Sequence, residues 1–400
     1  MILKNKGYSY RELITILGKI RYRRTLLAPV GRDSVNTLSS LQKEKYVCPL
    51  DMAIGVNNLP FKITVKMMVA IAKEAIRSTS YECASEVIRE HYGVKIGTAN
   101  VRFVTDYVGS VVYDDDKSRA VAAEAAHAVR IDKRKKHRRI DDVLYLEMDG
   151  AMVNTRVQTE DSSWKECKIG MAFHSTDIRA YRTDSGEIRR QILKKRIVGY
   201  IGNYNTFKYH LLAIARDYNY QYCSRIVVIS DGASWIRTIV DELFPDAVHI
   251  LDLCHVKEHV GNFGKWLFKD EHEAHLWITR ICTLIEDGKI DQILEILAPY
   301  KDVKCPQNVL NLYTYIDNHR TSMDYGTYKR ENYFLGSGAI ESANKYTMQN
   351  RMKLQGMRWN VESAQRVLSL KARLESDHWY EVEPLIIRRI SSSGSVAVKG

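Results

Sequence analysis

Val143-Leu-Tyr-Leu-Glu-Met-Asp-Gly150 is an alternating apolar run that reaches an aspartate and stops at a glycine. The pattern predicts a buried β-strand that delivers Asp149 to its carboxyl end. The run Ile226-Val-Val-Ile-Ser-Asp-Gly232 repeats this design, with β-branched residues ahead of Asp231. Two strands with the same ending predict two carboxylates at one edge of a sheet.

A third acidic residue extends the predicted cluster. Glu341 lies in Gly336-Ser-Gly-Ala-Ile-Glu-Ser-Ala-Asn344, where a helix is expected to begin. Carboxylates at the ends of adjacent core strands repel each other unless a cation lies between them, and magnesium takes oxygen ligands. Asp149, Asp231 and Glu341 therefore predict a Mg²⁺ site, in which Mn²⁺ is expected to substitute.

The composition limits the class of protein. The 400 residues, 45% hydrophobic and 27% charged, are enough for two or three domains with their own cores. The seven cysteines are scattered and contain no CxxC pair, which favours a reducing cytoplasm and argues against a zinc ribbon. The sequence has no apolar run near the roughly 20 residues that a bilayer requires and no signal-peptide core, so we expect neither secretion nor membrane insertion.

The positive charge is concentrated in the N-terminal third. The net charge is +12, and residues 1 to 140 hold 26 Lys and Arg against 14 Asp and Glu, whereas residues 141 to 400 hold 34 of each class. A basic segment on a neutral body indicates a module that binds a polyanion. The alternative is that these basic residues only improve solubility.

A predicted helix pair lies within this basic third. Apolar spacing predicts a packed helix over residues 61 to 77, followed by helices at Ser80–Tyr92 and Gly97–Tyr107 with Gly93 at the turn. This spacing is typical of a helix-turn-helix, in which Thr98, Asn100 and Arg102 would enter a major groove. A helical hairpin that does not bind DNA is the alternative.

A strongly basic run follows the helix pair. Residues 117 to 139 form an Ala-rich helical segment that ends in six basic residues among seven positions. These are expected to contact phosphates, or else to form a solvated connector, and in either case a domain boundary falls near residue 140. The six are Lys133, Arg134, Lys135, Lys136, Arg138 and Arg139.

The remaining pattern is strands followed by helices. Strands are predicted at Met152–Thr159, at Trp164–Phe173 and at Ala247–Cys254, with helices at Tyr204–Tyr220 and Trp235–Phe244. Residues 260 to 330 contain helical patterns only.

Asp252, Cys254, His255 and His259 form a cluster that could be mistaken for a zinc site. His255 and His259 are four residues apart and so share one helical face. Without a second cysteine or a glutamate at metal-ligand spacing, either a structural role or a role in supporting the metal ligands is favoured near the end of the fifth strand.

Four ordered motifs span more than half of the chain. They are Glu147-Met-Asp-Gly-Ala-Met-Val153 with Trp164-Lys-Glu-Cys-Lys-Ile-Gly170, Asp231-Gly-Ala-Ser-Trp-Ile236, Leu251-Asp-Leu-Cys-His-Val256, and Gly336-Ser-Gly-Ala-Ile-Glu-Ser-Ala-Asn-Lys345 with Gly356-Met-Arg-Trp359. Together these motifs resemble the DDE/D-type transposases of bacterial insertion sequences, in particular the Kra and Lre groups related to the Mutator superfamily.

The resemblance implies an α/β fold whose ribonuclease-H-like catalytic core is interrupted by an all-helical insertion and preceded by a helix-turn-helix region. It implies that Asp149, Asp231 and Glu341 bind the metal, with Asp252 and His255 as the D-x-x-H pair beside them. The expected segments are a basic region (1–60), a DNA-binding region and linker (61–140), the core (141–259 and 331–390), the insertion (260–330) and a disordered tail (391–400).

The function implied is DNA transposition, in which the ends of an insertion sequence are cleaved and joined to target DNA. Lys345, Arg351 and Arg358, on the helix of Glu341 and beyond it, are expected to contact DNA. The resemblance further implies a homo-oligomer located in the bacterial cytoplasm at the nucleoid. Two alternatives stay open: a nuclease of the same fold that only hydrolyses DNA, and a DNA-binding regulator with a degenerate catalytic core.

Overall fold

The structure, a computed structural model, describes residues 3–29, 46–128, 142–156 and 163–395. The protein has a mixed α/β fold with two compact units. Unit 1 comprises Met1–Asp116 and Asn350–Gly400, and unit 2 comprises Lys117–Gln349. Unit 2 is therefore inserted in the chain of unit 1.

The described residues contain nine strands and fifteen α-helices. The strands are β1 Leu3–Thr15, β2 Gly18–Pro29, β3 Val143–Asn154, β4 Trp164–His174, β5 Ile178–Arg182, β6 Ile188–Ile192, β7 Arg196–Ile201, β8 Arg225–Ser230 and β9 Val248–Leu251. The helices are α1 Pro49–Ala53, α2 Val65–Arg77, α3 Tyr81–Tyr92, α4 Thr98–Ala128, α5 Tyr204–Asp217, α6 Ser234–Leu243, α7 Leu253–Leu267, α8 Glu271–Glu286, α9 Ile290–Leu297, α10 Leu312–His319, α11 Tyr325–Arg330, α12 Gly338–Asn344, α13 Asn350–Met352, α14 Val361–Glu375 and α15 Val382–Ser395.

The helix pair predicted in unit 1 is present as two helices. The Ser80 side chain caps α3 by accepting a hydrogen bond from the Cys83 N–H, and Gly93 ends it at a φ of 64°. The second helix, α4, is 31 residues long and so extends well beyond the Tyr107 end that we expected. It continues because buried residues recur at helical spacing through Val111 and on to Ala123.

Unit 1 is completed by the C-terminal helices. Val382 and Ile386 of α15 are buried, and this helix packs against α2. It continues through Ser395, so residues 391–395 are helical where we expected a disordered tail, because the turns before them are held by this packing. Residues 396–400 lie outside the described residues.

Unit 2 is built around a five-stranded sheet with the order β7-β4-β3-β8-β9. Strand β4 is antiparallel to both of its neighbours, β7 and β3, whereas β8 and β9 run parallel to the central strand β3. Because side chains alternate along a strand, Leu144, Leu146 and Met148 face one side, where they share a core with residues of α5 and α6. Glu147 and Asp149 consequently face the other side.

The expected stop at Gly150 is wrong. Strand β3 continues to Asn154 and absorbs the first part of the strand predicted at Met152–Thr159. Gly150 pairs with Lys168 in the ladder, and a Cβ atom on Gly150 would meet the Glu166 Oε1 at 2.7 Å. Gly150 therefore does not form a turn, and its lack of a side chain allows the Glu166 side chain to approach the strand closely. By contrast, Gly232 has a φ of 92° and does follow the end of β8.

The third strand of the antiparallel part, β7, and the separate β5–β6 hairpin were not predicted. The helices predicted before and after β8 are present as α5 and α6. Residues 260–330, all of which the structure describes, contain helices and turns without a strand, as predicted. No helix in the described ranges has the length and apolar character needed to cross a membrane.

Candidate functional site

Asp149 lies within β3, and Asp231 directly follows the last residue of the neighbouring parallel strand β8. The ladder pairs Glu147 with Ile229, and both aspartates lie two residues further along. Asp149 accepts a hydrogen bond from the Asn344 side-chain amide at 2.5 Å, and the Gly150 N–H approaches its other oxygen at 2.7 Å. Asp231 is exposed, and its Oδ1 accepts a hydrogen bond from the Ala233 N–H at 3.0 Å.

Glu341 lies on helix α12, with a side chain 55% exposed. Its Oε1 atom is 3.7 Å from the His255 Nε2 and 3.4 Å from the Ser337 hydroxyl. Ligand atoms of Asp252, His255 and Glu341 all lie within 4.8 Å of one another. Of the predicted site residues, these three are the ones that the structure brings closest together.

The three predicted metal ligands are less tightly grouped. Among the described residues, the oxygens of Asp149, Asp231 and Glu341 are not all within 4.8 Å of one another. Burial raises the pKa of Asp149, and the negative charges of Asp231 and Glu341 raise it further, so both carboxylates act on Asp149. Carboxylates that repel one another in this way fit a hard divalent cation, which would relieve the repulsion.

Asp252 joins two segments of unit 2. Its Oδ1 caps helix α7 by accepting hydrogen bonds from the Cys254 and His255 N–H groups, at 2.6 and 3.3 Å. Its Oδ2 accepts a hydrogen bond from the Ser337 N–H at 2.7 Å and a short one from the Ser337 hydroxyl. The carboxylate is completely buried, and it fixes the start of α7 to the start of α12. Asp252 thus lies directly after β9, where it holds two chain segments together.

Glu147 is a site residue that the sequence reasoning missed. It is completely buried on the Asp149 side of β3, and its Oε2 accepts a hydrogen bond from the Ile340 N–H at 2.9 Å. Its Oε1 has no hydrogen-bond partner among the described residues. Burial raises the pKa of Glu147 to about 8, with contributions from the Asp252 and Glu341 charges. Strand alternation could have found it, because residues 147 and 149 share one face.

The helix that bears Glu341 continues in an unusual form. A π-helical turn, Lys345–Gln349, follows α12 directly. Lys345 is exposed at the start of this turn, four residues after Glu341, and the buried Asn344 before it holds Asp149. Such π-helical turns are rare in proteins, and those that occur are often at functional sites.

A sequence profile of UPF0236, described as an uncharacterised protein family, matches residues 2–373. The chain belongs to UPF0236. A search of curated proteins gave no match. Because the matched residues include parts of both units, the carboxylates of unit 2 and the basic segment of unit 1 are both within the UPF0236 match.

The residues expected to contact DNA in this UPF0236 chain differ in their accessibility. Thr98, Asn100 and Arg102 are exposed in the first turns of α4, as DNA contact requires, and Arg358 is exposed as well. The basic run from Lys133 to Arg139 lies outside the described residues.

The expectation that Arg351 contacts DNA does not fit its position. Its side chain is buried within unit 1, where the guanidinium lies 4.9 Å from the Tyr81 ring and 5.2 Å from the Trp359 ring. Its Nε also donates a hydrogen bond to the Ala75 carbonyl at 3.1 Å. The guanidinium therefore joins two aromatic rings and a helix backbone inside the unit.

Proposed function

We propose that this UPF0236 protein is a DDE-type DNA transposase, which cleaves the ends of an insertion sequence and joins them to target DNA. The observation that carries the proposal is that Asp149 on β3 and Asp231 at the end of the parallel strand β8 each lie two residues beyond the paired residues Glu147 and Ile229. Glu341 supplies the third carboxylate, and its charge contributes to the raised pKa of Asp149.

The topology of unit 2 supports a ribonuclease-H-like core. Three antiparallel strands, a helix and two further strands parallel to the first follow one another, and the first strand occupies the centre of the sheet. Helices α7 to α11 lie between the fifth strand and Glu341, which is where the resemblance places an insertion. Helices α3 and α4, with the exposed Thr98 and Arg102, are the proposed helix-turn-helix.

Asp149, Asp231 and Glu341 would hold the Mg²⁺ ions, with Mn²⁺ as a substitute. Bound magnesium would stabilise the charge that develops on the attacking and leaving oxygens of a phosphodiester. Two hydrogen bonds position the proposed ligands. Asn344 orients the Asp149 carboxylate, and Glu147 holds the first turn of α12, which carries Glu341. His255 lies beside Glu341, where it restricts the positions of that carboxylate.

The proposal includes the partners and the location. Double-stranded DNA is the substrate, and the excess of basic residues in the first 140 positions supports its binding. A homo-oligomer is expected because two ends must be held at once. The site of action is the nucleoid in the bacterial cytoplasm.

The test uses the purified protein with labelled duplexes taken from either side of the gene that encodes it. We expect cleavage in Mg²⁺ that Asp231→Asn reduces to the level without protein, while binding of the duplex is retained. Asp241→Asn is the matched control, because Asp241 lies ten residues further along and its side chain is 70% exposed. Cleavage that persists in Asp231→Asn, or that does not need a divalent ion, would overturn the proposal.

A second readout separates the transposase from the two alternatives. A pre-cleaved end with a free 3′-hydroxyl is mixed with a supercoiled plasmid, and joined products are counted. Cleavage without any joining would identify a nuclease that only hydrolyses. A band shift without cleavage in either Mg²⁺ or Mn²⁺ would identify a DNA-binding regulator.

A further inference from the structure

The N-terminal hairpin of unit 1 has two chemically different faces. Strands β1 and β2 pair along almost their whole length, with Tyr10 opposite Arg23 and Arg11 opposite Tyr22. Because side chains alternate, one face of the ribbon carries the first pair and the other face carries the second. The two faces therefore present different side chains and can make different contacts.

The inner face is devoted to packing within unit 1. Arg11, Tyr22 and Arg24 all donate hydrogen bonds to the buried carboxylate of Asp51 in α1. The edge of β1 is held as well, because the Ile14 backbone forms hydrogen bonds with residues 62 and 64 of the segment before α2. These contacts fix the hairpin by one side and use two of its arginines.

The outer face presents arginines and tyrosines to solvent. Arg21 lies 4.4 Å from the centre of the Tyr10 ring, and Arg23 lies 4.7 Å from the centre of the Tyr8 ring. Tyr8 and Tyr10 are 65% and 56% exposed. Neither arginine forms an ion pair with a carboxylate among the described residues. Two large rings and two guanidiniums thus lie at the surface in one ordered array.

We propose that this outer face, the Tyr8–Tyr10–Arg21–Arg23 face, binds double-stranded DNA as a second contact surface, distinct from the start of α4. The inference rests on the proposed function only for the identity of the ligand. A two-stranded antiparallel ribbon fits the major groove, where arginines bind guanine edges and phosphates. The 13 residues of β1 span about 40 Å, which is roughly one turn of the double helix.

Charge complementarity favours DNA over another protein chain. Residues 3–29 contain seven Lys and Arg against a single acidic residue, Glu12, which pairs with Lys19. Stacking on the tyrosines holds the guanidiniums in place, so little side-chain freedom is lost when they bind phosphate. The exposed Leu17 at the hairpin tip makes a second copy of the chain the main competing occupant.

The test measures duplex binding by the full chain with fluorescence anisotropy over a series of KCl concentrations. Removal of two phosphate contacts in Arg21→Gln/Arg23→Gln should weaken binding at least tenfold and lower the slope of log K against log salt by about 2. Arg225→Gln/Arg237→Gln, which removes two exposed charges from unit 2, is the matched control and should leave both quantities unchanged. Tyr8→Ala/Tyr10→Ala should also weaken binding, and Tyr8→Phe/Tyr10→Phe should restore it.

Several outcomes would overturn this inference. One is an unchanged affinity and salt slope in Arg21→Gln/Arg23→Gln with a normal melting temperature. Another is a loss of binding that follows a change from oligomer to monomer in light scattering, which would assign the face to a second copy. Failure of the proposed catalysis would be seen in a different assay, as cleavage that persists in Asp231→Asn. The hairpin inference is tested only by DNA binding, which is measured without divalent ions.

Discussion

The carboxylate of Glu147 accepts a hydrogen bond from the Ile340 N–H at 2.9 Å, across a separation of 193 residues. This bond joins the central strand β3 to the first turn of α12, one residue before Glu341. The carboxyl group is completely buried, and burial raises its pKa to about 8. The position of the third proposed ligand thus depends on a group that is costly to ionise.

This cost predicts how the stability of the protein changes with pH. The pKa of Glu147 is about 8 in the folded chain against 4.5 for the reference group, so the folded state retains a proton that the unfolded state releases. We compare the free energy of unfolding of wild type with that of Glu147→Gln. The advantage of the wild type should be complete below pH 4.5 and should be lost as the pH rises to 8. The loss should be at most about 1.4 kcal/mol per pH unit. Urea unfolding in EDTA at several pH values measures it.

The exposed Glu295 of α9 provides the matched control for that series. The difference between wild type and Glu295→Gln should not change over the same pH range. A flat difference between wild type and Glu147→Gln would contradict the assignment of the raised pKa to this buried group.

Asp252 should matter for stability through both of its oxygens. Asp252→Ala removes the cap of α7 and both bonds from Ser337, and leaves the Cys254 and Ser337 N–H groups without this acceptor. We expect a loss on the order of 3 kcal/mol in the free energy of unfolding. Ser337→Ala removes the hydroxyl donor only and should cost about 1 kcal/mol. Equal effects of the two changes in urea unfolding would show that Asp252 does not join the two helices.

Two glycines of α7 test the packing of the helical segment. A Cβ on Gly264 would meet the Ile278 Cγ1 at 2.5 Å, whereas a Cβ on Gly261 would have nothing within 4 Å. Gly264→Ala should therefore destabilise unit 2 by about 1–3 kcal/mol. Gly261→Ala, its control one turn away, should be neutral or stabilise by up to about 1 kcal/mol. Thermal melts of both variants measure the difference, and a stabilised Gly264→Ala would refute the close contact of α7 with α8.

The attachment of the hairpin depends on the buried carboxylate of Asp51. Burial opposes its ionisation, but hydrogen bonds from Tyr22, Arg11 and Arg24 outweigh burial and lower its pKa. Asp51→Ala should cost about 3 kcal/mol, because it leaves two arginines without their shared partner. Glu12→Gln, which breaks only the exposed pair with Lys19, should leave the melting temperature nearly unchanged. Similar melting temperatures for Asp51→Ala and wild type would contradict this.

The parts of the fold that sequence could predict are those specified by local pattern. The apolar runs before Asp149 and Asp231 predicted two strands, and they are neighbours in the sheet. The ending of β3 could not be predicted, because Gly150 permits the approach of Glu166 from the paired strand, a contact that local sequence does not specify. Gly232, by contrast, does lie in a turn, so the Asp-Gly dipeptide adopts two different conformations in this chain.

The parts of the site that sequence missed depend on contacts between distant segments. Glu147 lies next to apolar residues in the sequence, and its partner is the Ile340 backbone. Arg351 is a basic residue on a predicted DNA-binding stretch, yet the rings of Tyr81 and Trp359 enclose it. The hairpin was missed because both of its faces carry charged and tyrosine side chains, and the packed face is distinguished by its contacts with Asp51 and by the burial of Leu13.

The insertion of unit 2 within unit 1 has a consequence for synthesis on the ribosome. The segment that completes unit 1 begins at Asn350, after the whole of unit 2 has been translated. At elongation rates of about 5–20 residues per second, the roughly 230 intervening residues take about 10 to 50 s to emerge. During that interval the apolar face of α2 is not covered by α15. We therefore expect a chaperone to protect the N-terminal segment of the nascent chain until the C-terminal helices have been synthesised.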